Sequence, residues 1–311
     1  MLRLTSLRTT VALLPLLCNT RIGISRALSV SMAPTSSLAK RVTMESFQND
    51  ENKSRCPITL FVYATMNGYK GPVCAEELGI DYNYVMVDFE KGEQKSPEYL
   101  KINPKGQIPA LYDADNGVFL AESAAILEYL AGKYHHKQPT MFPTAESDAK
   151  LHWAIRQWML FSATGLAPAM GNAMFFNRIA KTKGENNEFA IQRYTNQSRG
   201  LLKVLDQQLQ SSGGPFLLGK HLTIADVNAF TYASTHFWAM VDVTGLDALN
   251  AWIDMMMKRE AVQKGLNIPF ARPGFFGPPY ATEEEIEGEI QRNAGMFTKG
   301  GGSSKEEEAK K

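Results

Sequence analysis

The segment Phe61-Val62-Tyr63-Ala64-Thr65-Met66-Asn67-Gly68-Tyr69-Lys70 joins an apolar run, Ile58 to Val62, to a stretch of helical periodicity. A turn between a buried strand and a helix is where redox proteins carry reactive cysteines, and this one has none. It offers instead the Thr65 hydroxyl, the Asn67 amide and a helix N-terminus, groups that stabilise a thiolate without supplying one. Sulfur chemistry at this turn therefore requires a thiol brought in by a ligand. Asn67-Gly68 is also a strong turn signal, so both polar residues have a local use as well.

Two later segments offer complementary chemistry. The loop Asn103-Pro104-Lys105-Gly106-Gln107-Ile108-Pro109 feeds a strand beginning near Ala110. A proline entering a strand cannot donate to the ladder, so Pro109 belongs at an edge, a bulge or a cis turn. A cis Ile108-Pro109 bond would leave the Ile108 backbone free to pair with an extended ligand. Farther on, Glu122-Ser123 precedes the amphipathic Ala124-Ala125-Ile126-Leu127-Glu128-Tyr129-Leu130. Ser123 reads as an N-cap whose hydroxyl and N–H, with the helix dipole, make a small anion site.

The elements that must position these groups follow from period and punctuation. Ile58–Val62 is a buried strand, the helix after it stops at Gly79, and Tyr82–Val87 is a second strand, which makes a parallel strand-helix-strand unit. A helical turn is expected at Pro97–Leu100, and Asn116-Gly117 closes a hairpin into Val118–Leu120. Longer helical periodicity runs through Trp153–Phe161, Phe189–Leu209, Asp226–Trp238 and Ala248–Met257. Thr223-Ile224-Ala225-Asp226 is a capping box flanked by Leu222 and Val227, a folding device rather than a catalytic one.

The order strand, Thr-Met-Asn-Gly turn, helix, then Asn-Pro-Lys-Gly-Gln-Ile-Pro-Ala-Leu, then Glu-Ser-Ala-Ala-Ile-Leu-Glu-Tyr-Leu resembles the N-terminal domain of a glutathione transferase. Gln157–Phe161, Gly165–Pro168, Ala190–Tyr194 and Leu222–Val227 resemble the helical domain of the nu-class transferases and the related fungal prion-forming nitrogen regulator. The resemblance covers about residues 57–268. It implies an α/β thioredoxin-like domain over 55–138 and an all-α domain over 145–268, with extensions at 1–54 and 269–311. It implies a homodimer that reduces disulfides with bound glutathione, needs no metal, and takes glutathione, glutathione disulfide and a small disulfide or electrophile as partners. Conjugation of glutathione and a non-catalytic regulatory role are its alternatives.

By the same resemblance Thr65 and Asn67 face the glutathione sulfur. Gln94 and Gln107 belong to the binding loops, with Gln94 at the glycyl end. Ile108 and Pro109 pair with the cysteinyl unit, Glu122 and Ser123 take the γ-glutamyl end, and Arg193 adds a charge from the helical domain, across a dimer interface in one arrangement. Tyr63 is a rival, because it occupies the register in which tyrosine-type transferases place their phenol. The chain departs from the family pattern beside Thr65, where Ala64 and Met66 stand in place of a frequent proline.

Composition narrows the class. Six of the 33 basic residues and none of the 32 acidic ones fall within the first 44 positions, so the remaining body carries a net of −5. That balance argues against a nucleic-acid partner. The acid-free, Ser-, Leu- and Arg-rich leader has the composition of a mitochondrial or plastid import peptide and is excluded from the fold; starts at Met32 or Met44 would leave a cytosolic form. Its apolar core, Val11–Cys18, is too short to span a membrane. Cys56 and Cys74 read as non-catalytic, Cys74 as a buried helix residue. Trp158, Phe161, Phe175, Phe176, Phe237 and Trp238 are expected in the core, with a few of them walling an apolar pocket. The proline-rich Pro269–Tyr280 should lie extended against the body, and the low-complexity end past Lys299 should be disordered.

Overall fold

The computed structural model describes residues 38–48 and 56–298, with side chains through 291. The leader before Leu38 and the tail past 298, to which the import and disorder expectations refer, lie outside the described residues.

The first layer is a five-stranded sheet in the order β1-β3-β2-β4-β5: β1 (Ala39–Arg41), β2 (Ile58–Val62), β3 (Tyr82–Met86), β4 (Ala110–Asp113) and β5 (Val118–Ala121). β2 pairs in parallel with β3, Leu60 opposite Tyr84, and antiparallel with β4, Phe61 opposite Ala110. Every residue of β2 is buried because both faces of the sheet are covered. Leu60 and Val62 join the large core with α2 (Lys70–Leu78) and α4 (Ser123–Lys133), while Phe61 and Tyr63 point to a smaller cluster with Val87 and Tyr99. The period of two thus sends neighbouring β2 residues to different cores.

Part of the segment excluded from the fold belongs to it. Ala39–Arg41 pairs in parallel with Tyr82–Tyr84, and α1 (Met44–Gln48) sets Phe47 edge-on against Phe61 at 5.0 Å and Tyr112 at 5.4 Å. Without β1, β3 would present an unpaired edge, and three residues of leader suffice to cover it. Composition averaged over the whole leader hides so short a strand.

The turn α3 (Pro97–Leu100) is capped by Ser96, whose hydroxyl accepts from the Tyr99 N–H at 3.2 Å. The helical layer contains α5 (Ala149–Leu160), α6 (Ala167–Met174), α7 (Ala180–Thr182), α8 (Glu188–Ser211), α9 (Ile224–Ala233), α10 (Asp247–Met257), α11 (Glu260–Gly265) and α12 (Glu283–Thr298). α5, α6 and α7 are one run interrupted by π-helical turns at Phe161–Leu166 and Phe175–Ile179. α9 is buried along its whole length and is anchored by the expected capping box. The Asp226 carboxylate accepts from the Thr223 N–H at 3.0 Å, the Thr223 hydroxyl at 2.9 Å, the Leu217 N–H at 2.8 Å and the Trp252 indole at 3.2 Å. α2 meets α11 so closely that a Cβ on Gly265 would stand 2.5 Å from the Val73 Cα. A bidentate pair, Arg259 to Glu77 at 2.6 and 2.7 Å, locks the same contact.

The tail from Phe270 lies against the body, as expected, but in turns and bends rather than extended, and it then forms α12, which buries Ile286 and Ile290. The Thr282 N–H donates to the Glu285 carboxylate at 2.7 Å and the Glu285 N–H to the Thr282 hydroxyl at 3.2 Å, a second capping box that starts this helix.

Candidate functional site

The turn after β2 is fixed by its own hydroxyl. Thr65 Oγ1 accepts from the Gly68 N–H at 3.2 Å, and the Tyr69 N–H donates to the Thr65 carbonyl at 3.1 Å. A Cβ on Gly68 would fall 1.9 Å from the Tyr63 carbonyl oxygen, so glycine is required there. Behind the turn the C-terminal tail acts as a brace: Arg272 donates to the Ala64 carbonyl at 2.9 Å, and the Tyr69 hydroxyl donates to the Phe270 carbonyl at 2.8 Å. The result is a rigid entry into α2, with Asn67 and Lys70 facing a cavity of about 450 Å³.

The second wall is the loop before β4. The Gln107 carbonyl accepts from the Tyr99 hydroxyl at 2.7 Å and from Asn103 Nδ2 at 2.6 Å, which holds the loop from inside. Gly106 has φ 61° and packs against the Gln94 carbonyl. The Ile108-Pro109 bond is cis, and both residues line the cavity with Gln107.

The third wall is the start of α4. Ser123 is its first helical residue rather than its N-cap; Glu122 holds the cap position at φ 68° and ψ 112° and carries no side-chain cap. A non-glycine residue in that region is strained, a condition common at ligand sites. Glu122, Ser123 and Ala124 line the cavity, where the first N–H groups of a helix lack partners within it. Glu122 also lies 3.6 Å from Lys105 in an exposed pair that contributes little to stability.

The helical layer closes the cavity with Ala163, Ala167, Pro168, Gly171, Asn172 and Tyr232. This corrects the expected aromatic wall, since none of the six aromatics proposed for it is among the lining residues. Trp158 and Trp238 are buried in the core, and the stretch that reaches the cavity follows the π-helical turn after α5, where small residues leave room. Tyr232 and Asn67 both line the cavity; burial pushes the Tyr232 phenol up to about 12, with the Asn67 amide opposing, so it remains a neutral hydroxyl at physiological pH.

The expected site residues therefore divide. Asn67, Gln107, Ile108, Pro109, Glu122 and Ser123 come together around one cavity. Thr65 spends its hydroxyl on the turn and does not line the cavity. Gln94 is buried behind Gly106, outside the lining, with its Oε1 lacking a hydrogen-bond partner. Arg193 is exposed on α8 and does not line the cavity of its own chain. The rival Tyr63 points to the other face of the sheet, stacked on Phe89 at 4.9 Å and edge-on to Phe270 at 5.6 Å. Cys56 and Cys74 are buried away from the cavity, and burial pushes both thiols up, against reactivity.

Sequence reasoning missed Lys70 and Tyr232. Lys70 is 1% exposed, with Nζ 3.3 Å from Ser123 Oγ and 5.1 Å from the centre of the Tyr232 ring. Its signal was a lone cation at the head of the otherwise uncharged Gly71-Pro72-Val73-Cys74-Ala75 turn.

Residues 56–132 match the family described as "Glutathione S-transferase, N-terminal domain", and residues 172–267 match its C-terminal domain. The disulfide-bond oxidoreductase YfcG of Escherichia coli is 33% identical over 214 residues, covering 67% of this chain and 94% of that protein. The chain belongs to the glutathione S-transferase family. Protein URE2 of Eremothecium gossypii is 29% identical over 286 residues, 79% of this chain and 77% of that one. A glutathione transferase family member from Pseudomonas fluorescens, solved with two glutathione bound, superposes with a TM-score of 0.63 at 28% identity, covering 72% of this chain and 98% of that one. The transferase domains end before the tail, so the Arg272 brace and α12 are additions to the matched family region.

Proposed function

We propose that the cavity binds glutathione and that the bound thiolate reduces small disulfides. The observation carrying this reading is that Asn67, the Ile108-Pro109 turn and the Glu122-Ser123 helix start converge on one cavity that no cysteine lines. Ile108 offers backbone pairing to an extended peptide, the start of α4 offers donors to a carboxylate, and Glu122 offers a carboxylate to an ammonium. The sulfur then falls toward Asn67, whose amide, in the turn leading into α2 and beside Tyr232 in the cavity wall, favours the thiolate. The thiolate attacks one sulfur of the substrate and expels the other as thiolate; a second glutathione resolves the mixed disulfide and glutathione disulfide leaves. The kinship to an oxidoreductase and to a neighbour holding two glutathione molecules supports this order of events.

The test is turnover by the full chain with glutathione and either hydroxyethyl disulfide or chlorodinitrobenzene. Rapid disulfide reduction with weak conjugation supports the proposal, and dominant conjugation replaces it with the alternative transferase chemistry. Glutathione binding with neither activity makes the domain regulatory, the non-catalytic alternative of the resemblance.

We also propose a homodimer in which Arg193 of one copy serves the cavity of the other; Trp153, Leu160 and Phe189 are exposed large apolar side chains that a partner would cover. A monomeric mass in solution at assay concentration would contradict it. Import into a mitochondrion or plastid through the leader is a further proposal, tested by where a fluorescent fusion of the full chain accumulates.

A further inference from the structure

Lys70 carries a fully buried amine to which, among the described residues, no carboxylate comes within hydrogen-bond distance. Its Nζ has Ser123 Oγ at 3.3 Å and the Tyr232 ring at 5.1 Å, and all three residues line the cavity. A buried ammonium is costly unless it is paired and hydrogen-bonded. One hydroxyl and one ring face leave that cost largely unmet, and burial pushes the Lys70 ammonium down to about 7, with Glu122 opposing.

Other charged groups on the elements packed around Lys70 are committed elsewhere. On α2, Glu76 accepts from the Tyr82 hydroxyl and Glu77 from Arg259, which precedes α11; on α4, Glu128 bonds Arg156 and Lys133 bonds Asp113; on α11, Lys264 bonds Glu260; on α9, Asp226 accepts from Leu217 and Thr223. Tyr232 of α9 stays neutral, and Glu122 is exposed and 3.6 Å from Lys105. Beside Lys70 the start of α4 is built to receive an anion, since Ser123 and Ala124 present the head of an eleven-residue helix.

We propose that Lys70 is the counter-ion for the ligand's α-carboxylate at the N-terminus of α4, and that this carboxylate brings Lys70 from its neutral to its charged form with uptake of one proton from solvent. The inference rests on the glutathione reading and adds a residue and a proton to it. In the free protein near neutrality Lys70 is divided between the two forms. A carboxylate shared by Ser123, the helix head and Lys70 favours the ammonium, so binding is proton-linked. Lys70 is then a binding residue that ties affinity to pH, while Asn67, in the turn just before the same helix, serves the sulfur.

The test uses S-methylglutathione, which has no thiol proton to confuse the count. Calorimetric titration of the full chain in buffers of different ionisation enthalpy should show uptake of about one proton at pH 8 and close to none at pH 6. Lys70→Met should abolish the uptake at pH 8 and weaken binding by about tenfold or more. Binding by the wild type without uptake at pH 8 overturns the role of Lys70 even if the variant is unstable. So does a folded Lys70→Met that binds within about twofold of wild type. Failure of the wild type to bind either S-methylglutathione or glutathione overturns the glutathione reading itself, and this inference with it.

Discussion

Replacing Asp226 by alanine tests how the fold holds α9, the helix that delivers Tyr232 to the cavity. The carboxylate accepts four hydrogen bonds in a fully buried position, from Leu217 N–H, Thr223 N–H, the Thr223 hydroxyl and the Trp252 indole. Alanine leaves three of these donors buried and unpaired; the Thr223 hydroxyl alone can turn elsewhere. At about 1–3 kcal/mol for each stranded donor, less the relief of removing a buried charge, the net loss is about 3–5 kcal/mol. That exceeds the ~1 kcal/mol of an ordinary helix cap. For a chain of this size it lowers the melting temperature by roughly 10 °C.

Burial holds the Asp226 carboxyl above its ordinary value in spite of the four donors. A raised value in the folded state favours the fold below the ordinary carboxylate range, and that share is lost as pH rises through the raised value. The gap between wild type and Asp226→Ala is therefore widest in acid and narrows toward neutrality. Circular dichroism melts at pH 5 and pH 7 measure both effects. A variant melting within about 2 °C of wild type at both pH values would refute the argument.

Three further substitutions address the site. Arg272→Ala removes the donor to the Ala64 carbonyl and should cut kcat/KM for disulfide reduction by about five- to tenfold through misplacement of the turn; unchanged kinetics would mean that the tail does not brace it. Tyr232→Phe takes a hydroxyl from the cavity wall beside Asn67 and should lower turnover by about two- to tenfold without a large change in melting, which steady-state kinetics will show. Tyr63→Phe should leave activity within about twofold, because the phenol faces Phe89 and Phe270; a collapse would restore the tyrosine-type arrangement.

Much of this architecture was legible because its signals are local. The continuous apolar run at Ile58–Val62, the Gly79 stop, the Asn116-Gly117 hairpin and the Thr223–Asp226 box each name an element by residue type and spacing, and each is present. A proline at the strand entrance left an edge, a bulge or a cis turn open at Ile108-Pro109, and the bond is cis. Ser123 was placed one position too early in its helix, because the positive φ of Glu122 has no sequence signature. The edge strand at Ala39–Arg41 was lost because three residues carry almost no periodicity and their pairing depends on the exposed side of β3. α12 was within reach: Thr282-Glu283-Glu284-Glu285 ahead of Ile286 and Ile290 has the pattern of the box at Thr223, but the run of acids obscured it.

The site was legible where one chain segment builds it and illegible where distant segments meet. Asn67, Ile108 and Ser123 sit at turns that announce themselves. Lys70 and Tyr232 matter because α9 crosses the head of α2, a packing event separated by more than a hundred positions of sequence. Tyr63, just past β2, keeps to the face that carries Phe61 and so is turned from the cavity that Asn67 lines. Gln94 was placed in the site by resemblance, whereas here its backbone supports the loop through Gly106.

The central claim is that a ligand-borne thiol, activated at Asn67, does the chemistry. The most direct measurement is glutathione-dependent reduction of hydroxyethyl disulfide by the wild type and by Asn67→Ala, with glutathione affinity determined in parallel. The account predicts robust wild-type turnover and a loss of about a hundredfold in the variant, with much smaller change in affinity. Undiminished turnover in Asn67→Ala, or no glutathione-dependent reduction by the wild type, would contradict it.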